Sequence, residues 1–549
     1  MTAPGKVYLV GAGPGDPELI TTRGLRRLRE ADLVLYDALV HPDQLHAARP
    51  DAELVFVGKR AGRASERQTR INQRLVEAAR AGKTVVRLKG GDPYLFGRGS
   101  EEAEHLAAQG IEFEVVPGVP SPLAATAYAG LSLTHRELAS SVAYVTASES
   151  VEKDRTGHDW SKLATATQTL VIFMGMRKLD SLSKLLIDHG RPADTPAAVI
   201  QWASLPRQRT VVGTLADIHA RASKAGLGLP ALTIVGEVVR LRDQLRWFDT
   251  KPLFGKRVLV TRAGHQAGSL SSLLRDEGAQ PVLAPTIRLV PPEDEGPLRD
   301  AVTHLDCYDW VLFTSANAVD AFFGALRASG LDPRALDGSK VCAIGTKTRA
   351  TLEGYRIDAD LLPENSRAEG VIAALRPRIE PGSRILLPRA EVARELLPAT
   401  LRDAGAEVDV VTAYRTLPPA PADADRIRRL VDPAEIDAVL FTSSSTVRNL
   451  HELLGPDGTE QLNALALFSI GPITTATADE LGLLVSATAP EQTIESLVET
   501  VSAYYARNDA NASAGQLDLG RRVPRDPRTG GGLRRRALRQ QRRPGRAPE

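Results

Sequence analysis

Short apolar runs recur along the chain from Lys6 onward, separated by amphipathic stretches of helical length. The runs at 7–10, 33–36, 53–57, 84–88 and 170–174 are rich in Val, Leu and Ile and read as strands covered on both faces. Between them, 66–81 and 99–109 space their apolar residues at helical intervals, and Gly110 follows the second as a stop. Strand alternating with helix predicts an α/β protein with a largely parallel sheet. The alternation pauses at Trp247-Phe248-Asp249-Thr250-Lys251-Pro252 and restarts at Gly255-Lys256-Arg257-Val258. A boundary at about 250–256 divides the chain into domains 1–250 and 256–506.

The second half repeats itself. Phe313-Thr314-Ser315 returns as Phe441-Thr442-Ser443, Ile344-Gly345 as Ile470-Gly471, and Arg262-Ala263 as Arg389-Ala390. The offsets of 128, 126 and 127 agree in chain order, which predicts two similar α/β lobes. Their ligand is expected in the cleft between them, at the carboxyl ends of the strands.

Composition narrows the class. A chain of 549 residues has room for about two to four domains. With 43% hydrophobic and 25% charged residues it can fill its cores, which excludes collagen-like, largely disordered and membrane-embedded proteins. No charged-then-apolar leader precedes the first strand, and no apolar run approaches the roughly 18 residues of a spanning helix. A cytoplasmic location without a membrane partner is the expectation. Cys307 and Cys342 are the only cysteines, too few for a disulfide framework or a cysteine-rich metal site. Both are expected as small buried side chains, and no metal site is expected.

Charge is uneven. Residues 507–549 hold twelve Arg against Asp509, Asp518, Asp526 and Glu549, a net +8, while the rest of the chain carries −6. This segment has no aromatic residue and no apolar period, so it reads as a disordered basic tail with no nucleic-acid partner expected.

Three glycine-rich loops follow strands in the first half. Gly11-Ala12-Gly13-Pro14-Gly15-Asp16-Pro17 lacks the last glycine of a dinucleotide fingerprint and puts Asp16 there, where an acid would oppose a pyrophosphate. Gly82-Lys83-Thr84 fails as a phosphate loop because position 77 is Glu. Backbone this open still lets a ligand without phosphates approach closely. The second loop, Leu88-Lys89-Gly90-Gly91-Asp92-Pro93-Tyr94-Leu95-Phe96-Gly97-Arg98-Gly99, surrounds one carboxylate and one Arg with glycines, as backbone wrapped around a ligand would. The third, Val57-Gly58-Lys59-Arg60-Ala61-Gly62-Arg63, gathers three cations suited to a substrate with several carboxylates.

These loops, with Tyr36-Asp37, Gln68, Asn72, Pro117-Gly118, Leu133-Thr134-His135-Arg136, Met174-Gly175 and Trp247-Phe248, resemble uroporphyrinogen-III C-methyltransferase of the tetrapyrrole methylases, over about residues 5–248. The resemblance implies two α/β subdomains, a homodimer through this half, S-adenosylmethionine as cofactor, and two methyl transfers that turn uroporphyrinogen III into precorrin-2. By position it implies Pro14, Gly90, Gly91, Asp92, Leu95, Pro120, Ser121, Met174 and Ala203 at the cofactor, Asp37 as proton acceptor and Lys59 as proton donor. The chain departs from the family at Pro120-Ser121-Pro122, where Thr or Ser and a small residue are usual and where proline removes backbone donors.

In the second half, Thr314-Ser315 and Thr442-Ser443 each lie between a strand and a helix, where hydroxyls and free N–H groups seat an anion. Arg262 and Arg389 stand at equivalent strand ends. These residues, with Ile344-Gly345-Thr346, Tyr414-Arg415-Thr416 and Ser469-Ile470-Gly471-Pro472, resemble uroporphyrinogen-III synthase over nearly all of 256–505. The resemblance implies cofactor-free closure of hydroxymethylbilane with inversion of its last ring, assisted by Tyr414. It also implies interleaved lobes, the chain crossing near 285–289 and returning near 414–416. A bifunctional enzyme follows. Its rival is a methylase for another corrin intermediate carrying a ligand-sensing regulatory module, for which the sequence lacks a winged-helix pattern.

Overall fold

The computed structural model describes residues 5–58, 68–147, 157–262, 268–365 and 367–519. Among these the strands form four five-stranded sheets. The first holds β1 (Val7–Gly11), β2 (Leu33–Tyr36), β3 (Glu53–Phe56), β4 (Val85–Lys89) and β5 (Phe113–Val116) in the order β3-β2-β4-β1-β5, all parallel. β1 and β4 are buried along their whole length, as central strands covered by helices on both faces must be. The chain leaves β1 toward one edge and goes from β4 to β5 at the other. The direction therefore switches between β1 and β4, where loops at the carboxyl ends part to leave a crevice.

The second subdomain contains β6 (Val142–Thr146), β7 (Thr169–Phe173), β8 (Pro196–Gln201), β9 (Arg209–Thr214) and β10 (Ala231–Val235) in the order β6-β7-β10-β8-β9. Only β6 and β7 pair in parallel. The strand expected at 170–174 closes at Phe173, because Met174 turns to a φ of +53°.

The second half supplies β11 (Arg257–Val260), β12 (Gln280–Leu283), β13 (Arg288–Val290), β14 (Trp310–Phe313), β15 (Lys340–Ala343), β16 (Arg384–Ala390), β17 (Glu407–Leu417), β18 (Ala438–Phe441), β19 (Ala466–Ser469) and β20 (Val485–Thr488). They form sheets in the orders β12-β11-β18-β19-β20 and β13-β17-β16-β14-β15. The sequence repeat is the register of these sheets. Val258 pairs with Ala438 in one, and Ile385 with Trp310 in the other, so Arg262 and Arg389 fall at matching positions. Phe313 and Phe441, the repeated aromatics, are fully buried in separate cores, about 1.5–3 kcal/mol each. The chain crosses between lobes after β12 and returns after β17, the interleaving expected from the sequence.

The last helix runs Ile494–Leu519, into the start of the basic tail; residues 520–549 lie outside the described ones. One expectation fails. Cys342 is buried in β15, but Cys307 is exposed because it closes a short 3-10 turn, Leu305–Cys307, ahead of β14. No helix among the described residues is long and apolar enough to cross a membrane.

Candidate active sites

Three loops converge over the β1/β4 crevice by touching backbone to backbone. Gly13 and Gly91 exchange N–H to carbonyl hydrogen bonds of 3.2 and 2.9 Å. A Cβ on Gly11 would lie 2.5 Å from Gly118 Cα, and one on Gly118 would lie 2.3 Å from the Gly91 carbonyl oxygen. No side chain fits there. The Asp92 carboxylate ties the loops, accepting from Gly118 N at 3.0 Å and from Tyr94 N at 2.8 Å. Gly91 differs: its φ is +73°, and a Cβ would meet nothing closer than Ser121 N at 3.8 Å. Its face is open, a backbone-lined hollow that suits a ligand held by amide groups.

Pro120 precedes the helix Ser121–Tyr128, and Pro122 falls in its first turn, where the missing N–H has no intrahelical partner to lose. The departure at 120–122 is thus a helix start beside the hollow. Leu95 and Ala203 pack on an apolar cluster that includes Phe173, while Met174 is half exposed. Pro14 is clasped by the second subdomain. Its carbonyl accepts from the Ser204 hydroxyl, which in turn accepts from Asp16 N at 3.1 Å. Asp16 also accepts from Tyr128 OH at 2.6 Å; burial and this bond raise the Tyr128 pKa. Phe96, Arg98, Met174, Trp202 and Ser204 all carry positive φ. Strain of this kind gathers at ligand-binding loops.

Asp37 follows β2, and its Oδ1 accepts from Arg87 Nη2 at 2.6 Å. Arg87 is buried in β4 and also reaches Glu102 Oε1 at 3.1 Å. The same oxygen accepts from Lys89 at 3.1 Å and from Gln68 at 3.0 Å. Burial opposes the Arg87 cation, but Asp37 and Glu102 outweigh it and raise its pKa. Burial and then Arg87 lower that of Lys89. Lys59 lies outside the described residues. Arg87 and Glu102 were missed as site residues; the available signal was an Arg and a Lys alternating on one face of an otherwise apolar strand.

In the second half, Ser315 and Ser443 do not stand free as anion seats. Each caps its own helix, Ser315 accepting from Ala318 N at 3.1 Å and Ser443 from Thr446 N at 3.3 Å. Thr314 and Thr442 precede them at the same strand ends. Ser315 Oγ lies 3.2 Å from Tyr414 OH, so a hydroxyl pair forms beside a cavity of about 510 Å³ lined by Asn317, Ala321 and Leu289. Arg389 is turned inward, bonding Glu395 and the Arg394 carbonyl. Burial lowers the Arg262 pKa. Lys347, at the start of a helix in the other lobe, has its pKa lowered by burial and by Arg262, so the two cations lie near enough to repel.

A family model for tetrapyrrole (corrin/porphyrin) methylases matches residues 6–219, and one for uroporphyrinogen-III synthase HemD matches residues 268–499. The porphyrin biosynthesis protein HemD of Ruminiclostridium josui is 35% identical over 495 residues, covering 90% of this chain and 97% of that protein. The uroporphyrinogen-III C-methyltransferase of Bacillus subtilis (strain 168) is 42% identical over 358 residues, covering 65% of this chain and 73% of that protein. Among solved structures, uroporphyrin-III C-methyl transferase from Thermus thermophilus complexed with S-adenyl homocysteine is 43% identical, covering 43% of this chain and 94% of that chain, with a TM-score of 0.37.

Proposed function

Because the chain belongs to the family that joins a tetrapyrrole methylase to a uroporphyrinogen-III synthase, we propose that its halves perform successive steps. The second half closes hydroxymethylbilane to uroporphyrinogen III without a cofactor. The first half then methylates that macrocycle twice, giving precorrin-2.

The observation that carries the methyl-transfer step is the glycine-lined hollow at Gly91, with the Asp37 carboxylate held at the adjoining strand end. The Asp16 carboxylate disfavours a phosphate ligand, and the open backbone fits S-adenosylmethionine, held by Pro14, Gly90, Gly91, Leu95, Pro120, Ser121, Met174 and Ala203. Asp92 acts from behind, by holding the loops together. S-adenosylmethionine, when bound, supplies its methyl group as an electrophile on a positive sulfur. The chain's own contribution is to align an electron-rich pyrrole carbon and to take up a proton. Asp37 accepts that proton, its carboxylate oriented by Arg87; Lys59 is the proposed donor.

In the synthase half, Tyr414 assists departure of the hydroxyl as water, and Arg262, with Thr314 and Thr442 at the strand ends, meets the carboxylates of the folded chain. Holding one conformer matters most, because closure without inversion competes. A homodimer formed through the first half and a cytoplasmic location belong to the same reading. Supplying hydroxymethylbilane and S-adenosylmethionine to the purified chain tests it: mass spectrometry should find a cyclised tetrapyrrole carrying two added methyls. A cyclised product without methyls would remove the first half's assignment, and a macrocycle closed without inversion, identified by chromatographic separation of the isomers, the second's.

A further inference from the structure

A cavity of about 600 Å³ lies where the two halves meet, a volume typical of small-molecule sites. Its charged lining comes from both sides. Asp16, His41, Asp43 and Arg207 belong to the first half; Arg257, Arg275 and Arg426 belong to the second.

The acids are already engaged. Asp16 accepts from Tyr128 OH and from Glu18 N, and Asp43 is bound by Arg275 across the junction. His41 adds no charge: its Nδ1 accepts from Asp43 N at 3.2 Å, as a neutral ring does. The remaining arginines are only partly matched. Arg257 meets Glu435 on the exposed rim at 2.5 Å. Arg426 donates to the Leu283 carbonyl at 3.1 Å, with Asp423 no nearer than 4.0 Å. Arg207 stacks on the Trp202 ring, 3.6 Å from its centroid, and has no carboxylate within ion-pair distance among the described residues. Burial and then the Arg257 cation lower its pKa, so two like charges face each other here. Between the arginines the walls are apolar and stiff, built from Pro17, Pro42, Pro206, Pro281 and Pro285.

Three guanidinium forks on separate elements, set in proline walls, match a rigid apolar body fringed with carboxylates. We propose that the cavity at the junction of the halves binds such a polycarboxylate, gripped by Arg207 from one side and by Arg257 and Arg426 from the other. The site exists only where the halves are joined. Its ligand would touch Asp16, next to the clasped Pro14 loop, and Pro285, in the segment that crosses between the synthase lobes. This inference rests on the cavity's own chemistry and stands apart from either catalytic assignment.

Calorimetry on the full chain tests it, with benzenehexacarboxylate as the planar probe and citrate as a carboxylate probe lacking an aromatic body. The planar probe should bind one per chain, about tenfold tighter than citrate, and R207A/R257A should weaken it at least tenfold. Arg262→Ala, in the synthase cleft, should leave that affinity unchanged. Loss of binding in R262A but not in the double variant would place the probe in the cleft and overturn the proposal. So would the absence of binding, or equal affinity for citrate. Should the double variant melt early, the single R207Q, which alters one exposed side chain, gives the same reading.

Discussion

Arg87 Nη2 donates to Asp37 Oδ1 across 2.6 Å, from a guanidinium that is itself buried and shared with Glu102. The proposed proton acceptor at the crevice is thus oriented from beneath by a charge that water does not reach.

Replacing Asp37 by Asn keeps the shape and a hydrogen-bonding group but removes the base. Methyl transfer, followed as S-adenosylhomocysteine released, should fall by about 10²–10⁴-fold in a protein that still folds but melts earlier, because buried Arg87 loses one charged partner. Arg87→Leu should lower both activity and stability. Glu102 keeps Lys89 and Gln68, so the loss belongs near the lower end of the range for breaking a buried pair, about 3 kcal/mol, readable as a lower urea midpoint. A fully active D37N would remove Asp37 from the chemistry.

The glycines at the crevice divide into two kinds. Gly118→Ala drives a Cβ to within 2.3 Å of the Gly91 carbonyl and should destabilise the first half. Gly91→Ala meets open space and pays only for its positive φ, about 1–2 kcal/mol. Its methyl group enters the hollow, so S-adenosylhomocysteine affinity should drop by more than stability does. Thermal melting alongside calorimetry separates the two, and an unchanged affinity in G91A would show that the cofactor does not use that face.

Much of this architecture is legible in the chain because strand and helix announce themselves by period. The repeat offsets of the second half reappear as the pairing of Val258 with Ala438 and of Ile385 with Trp310. Partners set by long-range geometry are not legible. Nothing local tells that Arg389 turns toward Glu395, that Ser315 is occupied as a helix cap, or that Ser204 clasps Pro14 from another subdomain. The register between β2 and β4 decides that Arg87 reaches Asp37, and that register is a tertiary property.

Tyr414 and Ser315 form a hydroxyl pair 3.2 Å apart. Tyr414→Phe should slow formation of uroporphyrinogen III by about ten- to a hundredfold without abolishing it, at or below the lower end of general acid contributions, and should raise the share of macrocycle closed without inversion. Ser315→Ala removes a helix cap as well, so it should cost about 1 kcal/mol of stability together with a smaller rate loss. Chromatographic separation of the two isomers reads both effects, and an unchanged rate in Y414F would leave the tyrosine as packing.

The junction between the halves should respond to acid through His41. Burial lowers its pKa below the ordinary 6.5, with Arg275 and Arg207 acting in the same direction and Asp43 and Asp16 against it. The neutral ring is also the form that can accept the Asp43 N–H at the start of the helix Pro42–Leu45. Between the folded and unfolded pKa values the unfolded chain binds the extra proton, so this contribution is whole above 6.5 and is lost as pH falls through the folded value. His41→Asn keeps a good helix cap and removes the titration. Melting temperatures from about pH 7 to about pH 5 should fall more steeply for the parent than for H41N; parallel curves would show that His41 does not gate the junction.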